Sequence, residues 1–137
     1  LNFLFLNSMK RFIYTALTIV FLICIVILAS LFFWIKQDVL NNIELAEQKY
    51  HAHGEKALIS FLEDERNSYY DRTHLAVWTL GKIRSQRALA VLKKYYINDP
   101  KGRSCKGMHH EKICQYELYK AIKAIENGTL LSYASLK

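Results

Sequence analysis

Two cysteines flank a pair of histidines in "RSCKGMHHEKICQYE", residues 103–117. Side chains of these types support three kinds of chemistry: ligation of a tetrahedral zinc, a redox-active dithiol, or a structural disulfide. For zinc, the set is Cys105, His109, His110 and Cys114, but adjacent histidines on a helix project about 100° apart. The common Cys-x2-Cys and His-x3-His spacings are absent. A redox-active pair usually has two residues between its cysteines and a neighbouring βαβ pattern. Here eight residues intervene and no such pattern is visible. A Cys105–Cys114 disulfide is the favoured reading, with no metal, and the four-residue zinc set is its alternative. Closing a loop of this length contributes on the order of 2.5 kcal/mol through the unfolded chain. The choice depends on whether the segment meets an oxidising compartment, and so on the other end of the chain.

Residues 12–35, "FIYTALTIVFLICIVILASLFFWI", hold no charged side chain over 24 positions. At about 1.5 Å per residue this is roughly 36 Å of helix, against roughly 30 Å of bilayer hydrocarbon. The run has no polar face, which a buried helix of a water-soluble fold would keep. Residues 12–35 are therefore expected to be a transmembrane helix. Lys10 and Arg11 precede it and only Lys36 closely follows, so the positive-inside rule places residues 1–11 in the cytoplasm and the remainder outside. In a bacterium that compartment is the periplasm and the membrane the inner one. Met9-Lys10-Arg11 reads as the initiation region, with residues 1–8 an untranslated extension. A cleaved signal peptide is the competing reading. Its apolar core is normally about 7–15 residues and ends in small residues, whereas Ala29-Ser30 runs on into Leu31-Phe32-Phe33-Trp34. An uncleaved signal anchor is expected.

Beyond the apolar run, spacing predicts helices throughout. Residues 36–54 form a juxtamembrane helix ended by Gly54, and Ala57, Leu58, Phe61 and Leu62 make one stripe over 55–65. Asn67 or Ser68 caps a helix over 69–83, and Ser85 caps one over 86–97. "NDPKG", 98–102, breaks the pattern, and a last helix runs over about 109–127, placing Cys114 in its second turn and the histidines in its first. Residues 129–137 are a tail. An internal repeat is visible: Leu58 and Leu62 fall over Ala88 and Leu92, while Ala76, Leu80 and Ile83 fall over Leu118, Ile122 and Ile125.

At "LAVWTLGKIRSQRALAVLKKY", residues 75–95, the chain resembles a HEAT repeat of the short, phycobilisome-lyase-like type. The resemblance rests on Ala76, Leu80-Gly81, Ile83, Ala88-Leu89 and Leu92. It covers one repeat, about 69–97, with a half before it and a degenerate half after. It implies an all-α fold: a short α-solenoid of paired antiparallel helices over 55–128, used as a binding surface. It also implies that the Leu-Gly-x-Ile step lets one helix turn tightly into the next. The second helix of each pair would line the concave side, which makes Arg87, Lys94 and Tyr96 candidates for partner contact.

Charge divides the outer domain. Residues 37–81 hold eight acids against four bases, and residues 82–112 hold nine bases against Asp99 and Glu111. Outside the cytoplasm a nucleic acid is not the expected partner. An acidic protein or acidic lipid headgroups suit the basic half better. No phosphate-binding glycine loop, no Ser-His-Asp spacing and no acidic cluster of metal geometry is present, so neither an enzyme nor a cofactor is expected. The expected role is a membrane-anchored protein-interaction or scaffolding module. The alternatives are an accessory subunit of a membrane complex and a small zinc protein centred on the Cys/His cluster.

Overall fold

A computed structural model describes residues 2–106, 108 and 110–128, with side chains from Lys10 onward. Most of those residues are helical and, among them, no strand occurs. The chain divides into two compact units, Leu1–Gln37 and Asp38–Lys137. Helix α1, Asn2–Tyr50, supplies all the described structure of the first and the opening segment of the second.

In the first unit, α1 is long and apolar enough to cross a membrane, and none of its most apolar window is buried. Phe12, Phe21, Leu28 and Phe33 are each more than 60% exposed, so these side chains have no protein core to fill. The hydroxyls of Thr15, Thr18 and Ser30 are satisfied within the helix. Thr15 and Thr18 donate to the carbonyls of Arg11 and Tyr14 at 2.9 and 2.8 Å, and Ser30 to that of Val26 at 2.8 Å. Internal satisfaction of this kind is what an apolar solvent demands of a hydroxyl.

The second unit has its own core. Val39, Ile43 and Ala46 lie on one stripe of α1 and are buried. No breaker separates this stripe from the apolar run, so the juxtamembrane helix is continuous with α1 rather than a separate element. It ends at Tyr50, earlier than Gly54, because His51 takes a left-handed conformation at φ 51°. Gly54, φ 55°, instead precedes α2, Glu55–Glu63, which buries Ala57, Leu58, Phe61 and Leu62. Next come α3, Tyr69–Asp71, a π-helical segment, Arg72–Val77, and α4, Trp78–Lys82, in one uninterrupted run. Ser68 caps it by accepting the Asp71 N–H at 3.1 Å.

Asn67 is not the cap. It is buried, and its side-chain amide donates to the Phe61 carbonyl at 2.8 Å and to the Tyr50 hydroxyl at 2.7 Å. Lys49 donates to its carbonyl oxygen. Tyr50 in turn donates to Asp64 at 2.7 Å, and Asp64 holds Arg66 through paired contacts of 2.9 and 2.8 Å. Arg72 is buried and ties three elements together. Its Nε donates to the Leu62 carbonyl in the last turn of α2 at 2.7 Å, while Tyr69 and Tyr95 flank its guanidinium at 5.5 and 5.3 Å.

A 3₁₀ turn, Gln86–Ala88, leads into α5, Leu89–Tyr95, with Ser85 capping as its spacing predicts. A second 3₁₀ turn, Arg103–Cys105, precedes α6, Gln115–Asn127. α6 therefore starts later than the expected 109. Cys114 is the residue before the helix, in extended conformation, and His110 lies in a turn. The six positions of the internal repeat on α4, α6 and their surroundings, from Ala76 to Ile125, are all buried.

The packing follows a different pairing from hairpins taken in chain order. The 69–82 run lies against α2 through its π-helical part and against α6 through α4, while α5 lies against α6. Gly81 explains the α4–α6 contact. A Cβ built there would stand 2.8 Å from Ala121 Cα and 2.9 Å from Ala121 Cβ. The glycine thus serves a close helix crossing, not the turn that follows. The turn conformation falls on Arg84, at φ 51°.

Two outcomes follow. In an open helix, Gly→Ala stabilises by about 1 kcal/mol. At this crossing Gly81→Ala is expected to destabilise by about 1–3 kcal/mol, from overpacking against backbone that cannot move aside. The urea midpoint of the detergent-solubilised full chain reads the sign, and a raised midpoint would refute the crossing. Separately, hydrogen bonds from Arg66 and then Tyr50 hold the Asp64 carboxyl well below its ordinary range. Its contribution is therefore complete above a pH of about 4 and is lost as pH falls further. Asp64→Asn is expected to lower the melting temperature at pH 7 and to narrow the gap to wild type on acidification towards pH 3. A gap that stays constant across that range would exclude the linkage.

Candidate functional site

The 98–114 segment carries little apolar surface, so polar contacts hold it. Asp99 accepts the Ser104 N–H at 2.7 Å, which with neighbouring backbone amides keeps its carboxyl below the ordinary range. Gly102 is left-handed at φ 61°, and a Cβ there would meet Tyr116 Cβ at 2.8 Å, so this position admits only glycine on two counts. Gln115, the first residue of α6, is buried. Its carbonyl oxygen accepts the Ile97 N–H at 2.9 Å, and its amide donates to the Tyr95 carbonyl at 3.1 Å. The loop is thereby tied to the end of α5 at one side and to α6 at the other.

Within that frame Cys105 and Cys114 come together. Both are buried, and their sulfur atoms stand 3.0 Å apart as free thiols, longer than a bonded pair at about 2.05 Å. The Cys105 sulfur accepts the Gln115 N–H at 3.2 Å and lies 3.3 Å from the Gly102 carbonyl. The Cys114 N–H donates to Thr73 Oγ1 at 3.1 Å, fixing the loop to the π-helical segment. Burial, and then the hydrogen bond to Cys105, pushes the Cys114 thiol pKa up. A group so placed is a poor thiolate nucleophile and a protected one.

The histidines do not join the sulfurs in a described cluster. His110 is exposed, and its ring stacks on Tyr70 at 5.3 Å, with His74 on the same tyrosine at 4.2 Å. His109 lies outside the described residues. Among the described residues no three of His, Cys, Asp and Glu gather in a metal-holding group.

The three contact candidates are dispersed among internal tasks. Arg87 pairs with Glu55 at 3.2 Å, and the same carboxylate accepts the Ser85 hydroxyl at 2.6 Å. Tyr96 is half-buried, 6.3 Å from the ring of Tyr119. Lys94 is exposed, with its ammonium 5.9 Å from the Tyr95 ring. Thr73 and Gln115 are the residues that sequence reasoning missed. The available signal is weak: each is a polar side chain on an apolar stripe, at positions where a surface residue is equally at home.

Comparison with family models, with curated proteins and with solved structures gives no match to this chain. The physical reading of its residues therefore carries the functional argument.

Replacing Gln115 by Leu leaves the Ile97 N–H and the Tyr95 carbonyl without their partner. The expected cost is about 1–3 kcal/mol. Amide exchange should speed up selectively around Ile97. Uniform loss of protection across the domain instead would show that Gln115 does not act as a local latch.

Proposed function

We propose that the chain is a single-pass membrane protein that presents a small helical domain outside the cytoplasm as a protein-interaction or scaffolding module. The observation that carries this reading is the division of labour between the two units. One is a helix whose apolar side chains have no protein to pack on, and the other has a core of its own. Lys10 and Arg11 against Lys36 support an inward N-terminus. The buried repeat positions Leu58, Ala88, Leu92, Leu118 and Ile122 support a HEAT-like stack, in which helices of one layer present a face to a partner.

In an oxidising compartment the adjacent thiols of Cys105 and Cys114 close a disulfide, each losing a proton and together two electrons, through exchange with a disulfide-bearing oxidant. The bond staples the irregular loop to the start of α6.

Acid-quenched membranes from expressing cells, alkylated before and after reduction, test sidedness and staple together. The expected result is alkylation at Cys24 alone before reduction and at all three cysteines after. Alkylation of Cys105 and Cys114 without reduction would refute both. Cross-linking in those membranes is expected to recover a protein partner. Its recovery from Arg87→Glu/Lys94→Glu chains tests the face that the HEAT resemblance nominates.

A further inference from the structure

Five basic residues of the second unit are ion-paired: Arg66 with Asp64, Arg87 with Glu55, Lys93 and Lys123 with Glu126, and Lys120 with Glu117. Lys56, Lys82 and Lys94 have no carboxylate partner among the described residues, but they are scattered along the chain, whereas four such cations gather in the segment around the cysteine pair. Among the described residues no carboxylate pairs with Lys101, Arg103, Lys106 or Lys112. The first three are exposed and Lys112 is partly so. Of the two acids in this stretch, Asp99 is committed to backbone amides, and Glu111, next to Lys112, is exposed.

These cations sit on a held frame. The Cys105–Cys114 contact gathers both ends of the segment, so Lys106 and Lys112 leave the same knot, and Arg103 begins the 3₁₀ turn that leads into it. Exposed aromatic rings border them. Tyr116 is 46% exposed beside Gly102, and Tyr70 is 44% exposed where it stacks on His110.

We propose that this surface, and not the face carrying Arg87 and Lys94, is where the module takes its partner, and that the partner presents an acidic polypeptide segment. The inference rests on the interaction-module reading and gives it a site and a ligand chemistry. Charge complementarity favours carboxylates, because Lys101, Arg103, Lys106 and Lys112 pair with no carboxylate among the described residues and outnumber Asp99 and Glu111 in the segment. Aromatic rings beside arginine and lysine match the composition of protein interfaces. The frame decides between protein and lipid. A bilayer surface selects for charge alone and is served by runs of basic residues without fixed shape. Here the cations are set by a left-handed glycine, an Asp99 turn, a sulfur contact and a buried glutamine, and such preorganisation favours a partner of defined shape.

The test uses the full chain in nanodiscs of neutral phosphatidylcholine, with a fluorescent Asp/Glu-rich peptide of about 12 residues as probe. Lys101→Glu/Arg103→Glu/Lys106→Glu is expected to weaken peptide binding about tenfold or more with the melting temperature unchanged. Arg87→Glu/Lys94→Glu is expected to change it by less than about twofold. Vesicles of neutral lipid with added phosphatidylglycerol are expected to compete poorly for the same site. Equal loss in both variants would reduce the effect to general charge and overturn the proposal. Absence of peptide binding, or displacement of the peptide by phosphatidylglycerol vesicles, would overturn it too, the latter in favour of the bilayer. If cross-linking still recovers a partner that only the Arg87/Lys94 variant loses, this site fails while the module reading stands.

Discussion

The crossing of α4 and α6 at Gly81 and Ala121 is the contact on which the rest of the folded unit depends. It brings two helix backbones within the reach of a single methyl group. With α6 seated there, Leu118, Ile122 and Ile125 complete the core begun by Leu80 and Ile83. The same seating fixes where α6 begins, and so where Gln115 and Cys114 stand against the end of α5 and against Thr73. The cysteine pair therefore depends on packing at some distance from it as well as on the local turn at Asp99 and Gly102.

The polar interior follows from the same economy. The helices that follow α1 are short, from 3 to 13 residues, and short helices leave many terminal carbonyls and amides to be satisfied. Arg72 serves the end of α2, Ser68 and Ser85 serve two helix starts, and Asn67 joins the end of α1 to the turn after α2. Arg72, Ser85 and Asn67 are buried where water is excluded, so each replaces a solvent hydrogen bond with a directed one, while Ser68 caps at the surface. The π-helical run at 72–77 belongs to this pattern, since it turns Arg72 and Thr73 inward together.

Helical class and most of the core stripes were legible in the residues. Ala57, Leu58, Phe61 and Leu62, and likewise Ala76, Leu80 and Ile83, recur at helix spacing because burial on one face requires it. The apolar helix was legible for the opposite reason, having no polar face at all. The start of α6 was not. The residues before Cys114 include no strong breaker in sequence, and Cys114 itself is extended, with its amide on Thr73 and its sulfur beside Cys105. A Cys105–Cys114 disulfide is the expectation from sequence, and the structure brings the two sulfurs to 3.0 Å as free thiols through contacts that the local residues do not reveal. The role of Gly81 was misread for a related reason. A glycine before a turn looks like turn chemistry, and the partner that needs the space, Ala121, is forty residues away.

The junction between the two units has a consequence for proteolytic release. Val39, Ile43 and Ala46 belong to the core of the second unit although they continue the helix of the first. A cut just before Asp38 would leave these three side chains with the core they help to fill. One a few turns later, at the helix end near Tyr50, would take one wall of the interior away. The covalent limit of the second unit therefore lies inside α1, ahead of Val39, and not at the helix end.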